Sequence, residues 1–176
     1  GTFNENLFVY VAAFGILTDV SYETDQKFKN AFGHLAYVLE GIRSFVPGSI
    51  KSYSMSVISG DTMIKDEFIY GMVSNSLSVG GFKALPQKDI HLDDGEFEVL
   101  LVKYPRSLEE LNLLVPALLS QEFDPDYMYY FKTSKLEIHS EEPVSWTLDG
   151  ENGGSHTDVE IVNRQQAFTI CVPEKK

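Results

Sequence analysis

Residues 53–74, YSMSVISGDTMIKDEFIYGMVS, decide the fold. Tyr53 to Ile58 and Glu67 to Ser74 are runs rich in aromatic and β-branched side chains. Ser59-Gly60-Asp61 between them is turn chemistry, so the stretch reads as a β-hairpin. Outward from it, Phe97 to Tyr104 is a strongly apolar strand and Tyr127 to Ile138 is one or two strands. Val144 to Leu148, Asp158 to Val162 and Ala167 to Val172 continue a β-rich C-terminal half. Upstream, Leu7 to Ala13 (LFVYVAA) reads as a short buried strand.

Two segments break this pattern. Thr24 to Ser44 carries Phe28, Ala31, Phe32, Leu35, Leu39 and Ile42 at steps of three and four, which predicts a long helix capped by Thr24 and ended by Pro47-Gly48. Ser107-Leu108-Glu109-Glu110 is a capping box, and Leu111, Leu114 and Leu118 continue a second helix. Strand, helix and hairpins in this order do not alternate as a doubly wound parallel sheet does. The expected fold is mainly β with two helices: an antiparallel β-sandwich, one domain over residues 1–176. The strand order stays open.

The formal net charge is −12. Nucleic-acid binding needs clustered cations to displace phosphate counterions, so that class is excluded as a partner. Lys83, Lys88 and Lys103 are the nearest approach to a basic patch, and they are dispersed. Cys171 is the one cysteine, which rules out an intrachain disulfide. No apolar run approaches the ~20 residues of a bilayer span. A cytoplasmic location is expected.

Two Asp-Gly turns hold the candidate chemistry: His91-Leu92-Asp93-Asp94-Gly95-Glu96 and Leu148-Asp149-Gly150-Glu151. The simplest reading of each is a hairpin turn, because Gly accepts positive φ and Asp tolerates it. A functional reading of the first is a loop offering oxygen ligands to a hard cation. A functional reading of the second is a general base, with Glu151 following a rigid turn towards a cleft. His34 reads as a structural or solvent-facing residue of the long helix, and His139 and His156 have no metal-ligand spacing. Trp146 reads as core, and Asp124-Pro125-Asp126 as a turn.

Three segments together resemble the bacterial diacylglycerol kinase and lipid kinase family. They are Val11 to Tyr22 with Glu23-Thr24 and Gly33-His34-Leu35-Ala36-Tyr37; Asn75 onwards to Asp93-Asp94-Gly95; and Val144 to Glu151 followed by a glycine pair. They run in the family's order and cover about Leu7 to Pro173. The resemblance implies the C-terminal β-sandwich of a two-domain, NAD kinase-like architecture. The N-terminal nucleotide-binding domain, with its Gly-Gly-Asp-Gly-Thr type signature, has no match in this chain and would be its partner. Carried over by position, Mg²⁺ would be held by the Asp94 carboxylate and the carbonyls of His91 and Glu96. Glu151 would accept the proton of a lipid hydroxyl as that oxygen attacks the γ-phosphate of ATP, and Asp149 would shape its turn. The lipid would be met at the membrane surface, making the protein peripheral there. The fragment alone would be inactive, and a homodimer through an exposed edge is a further expectation. The alternative is a stand-alone lipid- or carbohydrate-binding sandwich, in which both turns are only turns.

Overall fold

The hairpin that opens the reading forms as β4 (Tyr53–Ser59) and β5 (Thr62–Ser74), paired antiparallel from Ser59↔Thr62 to Tyr53↔Phe68. The structure, a computed structural model, describes residues 1–16, 50–76, 90–121, 123–169 and 171, without the side chains of residues 115 and 119. The helix expected over Thr24–Ser44, and with it His34, lies outside the described residues. So does the segment from Gly80-Gly81 to Pro86 with Lys83 and Lys88.

The other described elements are β1 (Thr2–Phe3), β2 (Asn6–Leu7), β3 (Val11–Gly15), β6 (Phe97–Lys103), α1 (Leu108–Ser120), β7 (Met128–Thr133), β8 (Lys135–Leu148) and β9 (Glu151–Val162). The order across the sheet is β2-β1-β9-β8-β3-β5-β6-β7, with β4 pairing both β5 and β8. Every pairing is antiparallel.

Strands β5 and β8 close the architecture. The first part of β5 pairs with β4 and its last five residues pair with β3. Likewise β8 meets β4 through Glu137–Ser140 and β3 through Trp146–Leu148. The two long strands therefore pass from one layer to the other, giving a sandwich with barrel-like closure. Period-two alternation sends one set of side chains between the layers. That set includes Phe3, Phe14, Met55, Val57, Phe68, Leu101, Leu136, Trp146 and Ile161, all buried. Trp146 is central, with ring centroids 5.0 Å from Phe3 and 4.8 Å from Phe14.

Strands β3 and β6 are buried on both faces. Ala12 and Phe14 point into the inter-layer core, whereas Val11, Ala13, Leu100 and Val102 join a second cluster with Leu114 and Leu118 of α1. The capping box forms as expected at its first half. Ser107 Oγ accepts the Glu110 amide at 3.1 Å, while the Glu110 carboxylate accepts the amide of Arg106 rather than of Ser107, at 2.6 Å.

Three strand expectations are corrected. The first buried strand begins at Val11, not Leu7: Leu7 is 79% exposed, and β2 ends there. Tyr127–Ile138 and Val144–Leu148 are not separate from each other, because β8 runs unbroken through Pro143, with an irregular register against β9 between His139 and Val144. Such irregularities are where a sheet tolerates proline. Ala167 to Thr169 form no strand; they follow a turn in which Gln166 takes φ 53°.

Candidate active site

The second Asp-Gly pair is a two-residue hairpin between β8 and β9, with Leu148 paired to Glu151. Asp149 takes φ 53° and Gly150 φ 89°, the twist that such a hairpin requires. The Asp149 carboxylate is turned onto the chain that enters β3. It accepts the amides of Val9 at 2.8 Å, Tyr10 at 2.8 Å and Val11 at 2.9 Å. The chain entering β3 is thereby fastened to the turn. Glu151 is exposed, and its carboxylate has no hydrogen-bond or ion-pair partner among the described residues.

The first Asp-Gly pair is not a hairpin; it is a turn leading into β6, with Gly95 at φ 84°. Asp94 Oδ1 accepts the Glu96 amide at 3.0 Å, and Oδ2 meets Lys132 Nζ at 3.2 Å. The Glu96 carbonyl accepts Asn163 Nδ2 at 3.1 Å, and the Asp93 carbonyl accepts Gln165 Nε2 at 2.8 Å. Asn75 ties in the turn from the other side, donating to the Leu92 carbonyl at 3.2 Å. His91 is exposed.

Both turns lie at one end of the sheet. The pairings Val11↔Ser74, Ser74↔Glu98 and Glu98↔Lys132 run in one row across β3, β5, β6 and β7. The Asp149 amide joins that row by donating to the Val11 carbonyl at 2.8 Å. Asp94 lies off the β6 end of the row, and Glu151 opens β9 on the far side of β8. Four strand spacings separate those lanes, about 19 Å along the sheet. The structure thus brings Glu151 and Asp94 to a common edge without bringing them into contact.

Sequence reasoning missed Glu98 and Lys132. Glu98 is fully buried within FEVLLVK, and Lys132 reaches its Oε1 at 3.3 Å. Burial pushes the Glu98 carboxyl up against the opposing pull of Lys132. At Asp94 partial burial works the same way, but the Glu96 amide and Lys132 outweigh it and hold that carboxyl below its ordinary value. A charged residue in an otherwise apolar strand was the available signal for Glu98. Nothing marked Lys132.

The remaining candidates settle simply. Lys103 is engaged by Asp66 at 3.6 Å and lies over the Tyr129 ring. His139 pairs with Asp158 at 2.7 Å on the surface, and His156 Nε2 lies 2.9 Å from the Gly153 carbonyl. Among the described residues no group of three His, Cys, Asp or Glu side chains is placed to hold a metal ion. The expected Mg²⁺ set asks for less: one carboxylate and two carbonyls, all oxygen, which is the donor chemistry of a hard cation.

The closed antiparallel sandwich is a fold shared with part of solved chains described as diacylglycerol kinases. Along its whole length the chain is similar to bacterial proteins of that name. No family model matches it. The diacylglycerol kinase of Bacillus subtilis is 28% identical over 176 residues, which is 100% of this chain and 57% of that protein. That of Staphylococcus epidermidis (strain RP62A) is 28% identical over 174 residues, 99% of this chain and 54% of the relative. A solved diacylglycerol kinase structure from Bacillus anthracis shares the fold with a TM-score of 0.58 at 16% identity, covering 93% of this chain and 49% of that one. A second solved structure from the same organism reaches 0.66 at 20% identity, covering 90% and 51%. The chain thus spans about half the length of the relatives it matches.

Proposed function

We propose that this chain is the C-terminal domain of an ATP-dependent lipid kinase, a transferase that phosphorylates a hydroxyl of diacylglycerol or a similar lipid. Glu151 is its proton acceptor. The observation that carries this reading is the state of that carboxylate: unpaired among the described residues, exposed, and set on a hairpin fastened by three Asp149 hydrogen bonds. A general base needs such positioning, because geometry precedes pKa in proton transfer.

In the step proposed, the lipid hydroxyl oxygen forms a bond to the γ-phosphorus of ATP and its proton passes to Glu151. The bond from the γ-phosphorus to the leaving oxygen breaks, releasing ADP. The nucleotide is held mainly by an N-terminal nucleotide-binding domain, which accounts for the half-length match to the relatives. Asp94, with the carbonyls of His91 and Glu96, would hold Mg²⁺. When bound, the cation supplies positive charge to a chain of formal net charge −12 that must admit an anionic nucleotide. Among the described residues no helix is long and apolar enough to cross a membrane. The protein meets its lipid from the cytoplasmic side as a peripheral visitor.

The test is Glu151→Gln in the chain joined to its nucleotide-binding domain. The variant keeps its fold and loses phosphoryl transfer to diacylglycerol by about 10²–10⁴-fold, the usual share of general-base catalysis. Retained turnover removes Glu151 from its role. The 176-residue chain by itself transfers no phosphate from ATP.

A further inference from the structure

Lys132 stands between two carboxylates that differ sharply in their surroundings. Its Nζ lies 3.2 Å from Asp94 Oδ2 and 3.3 Å from Glu98 Oε1. The Asp94 side chain is 26% accessible, whereas Glu98 is wholly buried. Among the described residues neither Glu98 oxygen has an aligned hydrogen-bond partner, and Lys132 is the cation that compensates that buried charge. An isolated carboxylate in such a place is costly, and the ammonium cannot leave it without penalty. Asp94 has an alternative. Its Oδ1 is already satisfied by the Glu96 amide, and Oδ2 has the lysine as its partner among the described residues.

We infer that Lys132 is a resident counter-ion on Asp94 which an incoming divalent cation displaces onto Glu98, so that the Lys132–Glu98 pair sets how tightly the turn holds that cation. The inference rests on the reading of Asp94 as a cation ligand. A monocation fixed at hydrogen-bond distance on the ligand oxygen opposes a second positive charge there. The buried Glu98 keeps the displaced ammonium from being stranded. Together the pair carries no net charge, so removing both members leaves the net charge of the chain unchanged while taking the ammonium off Oδ2.

That neutrality supplies the experiment. Mn²⁺, an EPR-visible hard divalent cation, is titrated into the 176-residue chain, its Glu98→Met/Lys132→Met double variant, and each of these with Asp94→Asn. Replacing a buried ion pair by apolar residues of similar volume is commonly tolerated. The double variant binds Mn²⁺ about tenfold more tightly than the parent chain, the scale of one screened unit charge removed at contact distance. Asp94→Asn cancels the gain. Should the double variant lose the emission of the buried Trp146, Lys132→Gln, which keeps an amide donor for Glu98, must show the same tightening. Equal or weaker binding in the Lys132 variants, with Asp94-dependent binding in the parent, overturns the counter-ion role and leaves Asp94 as a ligand. No Asp94-dependent binding in any chain overturns both.

Discussion

Asp149 and Val11 hold each other twice: the Asp149 amide donates to the Val11 carbonyl at 2.8 Å, and the Val11 amide donates to Asp149 Oδ1 at 2.9 Å. Residues 138 apart in sequence thus close a ring between the start of β3 and the turn that presents Glu151. With Val9 and Tyr10 also donating, one carboxylate satisfies three amides that no strand pairs. Hydrogen bonds to a charged acceptor are the stronger kind. Asp149→Ala is therefore expected to cost about 2–4 kcal/mol, discounted from the sum of three charge-assisted bonds because the site is partly solvated. Urea unfolding followed by Trp146 fluorescence measures it, and a loss below about 0.5 kcal/mol would mean that water replaces the carboxylate freely.

Glu151→Gln is the contrasting substitution at the same hairpin. Its side chain is exposed and has no partner among the described residues, so the change should leave stability within about 0.5 kcal/mol. The two variants separate positioning from chemistry: Asp149→Ala shifts the unfolding midpoint, and Glu151→Gln does not. An equal destabilisation by both would show that Glu151 is structural.

The same ring explains where the sequence misled. LFVYVAA is continuous in hydrophobicity, so it reads as one strand from Leu7. The amides of Val9 and Tyr10, however, are taken by a side chain from the far end of the molecule, and pairing with β5 starts only at Val11. Hydropathy cannot see a hydrogen-bond partner 140 residues away. The strands expected to end at Ile138 and to begin again at Val144 are likewise one, because residues 139–143 occupy a register irregularity inside β8. The 53–74 hairpin was legible because its turn and its pattern are local. Both Asp-Gly turns were legible as turns; that they share one end of the sheet follows only from the crossed order of β3, β5 and β8. Lys132 could not be found at all, since its significance comes from pairing across to Glu98.

The His139–Asp158 contact gives a pH dependence with a defined sign. The hydrogen bond from His139, aided by Thr157, holds the Asp158 carboxyl below its ordinary value. A carboxyl lowered in the folded state binds fewer protons there than in the unfolded chain. Its contribution is present above the unfolded value and is lost as pH falls through the folded one. Asp158→Asn should therefore lower the Tm slightly at about pH 5, and the difference from the parent should shrink as the pH falls below the ordinary carboxylate range. Both side chains are largely exposed, so the effect is small and screened by salt. A difference that grows as the pH falls would reverse the assignment.

Phe14 and Gly71 face each other across β3 and β5, and the Phe14 ring covers the glycine so closely that a Cβ there would collide with it. The ring is held in place by Trp146 on one side and Tyr53 on the other, with centroids at 4.8 and 5.8 Å, so it cannot swing away. Gly71 is thus required for close packing rather than for backbone freedom. Gly71→Val should cost about 2 kcal/mol or more through overpacking, despite the better strand propensity of valine. Phe14→Leu alone should also destabilise, by leaving space against Trp146. The two should not add: with the ring gone the valine methyls have room, and the double variant should recover at least about 1 kcal/mol relative to the sum. Thermal or urea unfolding of the four proteins closes the cycle. Strict additivity would mean that the strain of a residue at 71 falls on the backbone of β5, not on the aromatic face that fills the sandwich.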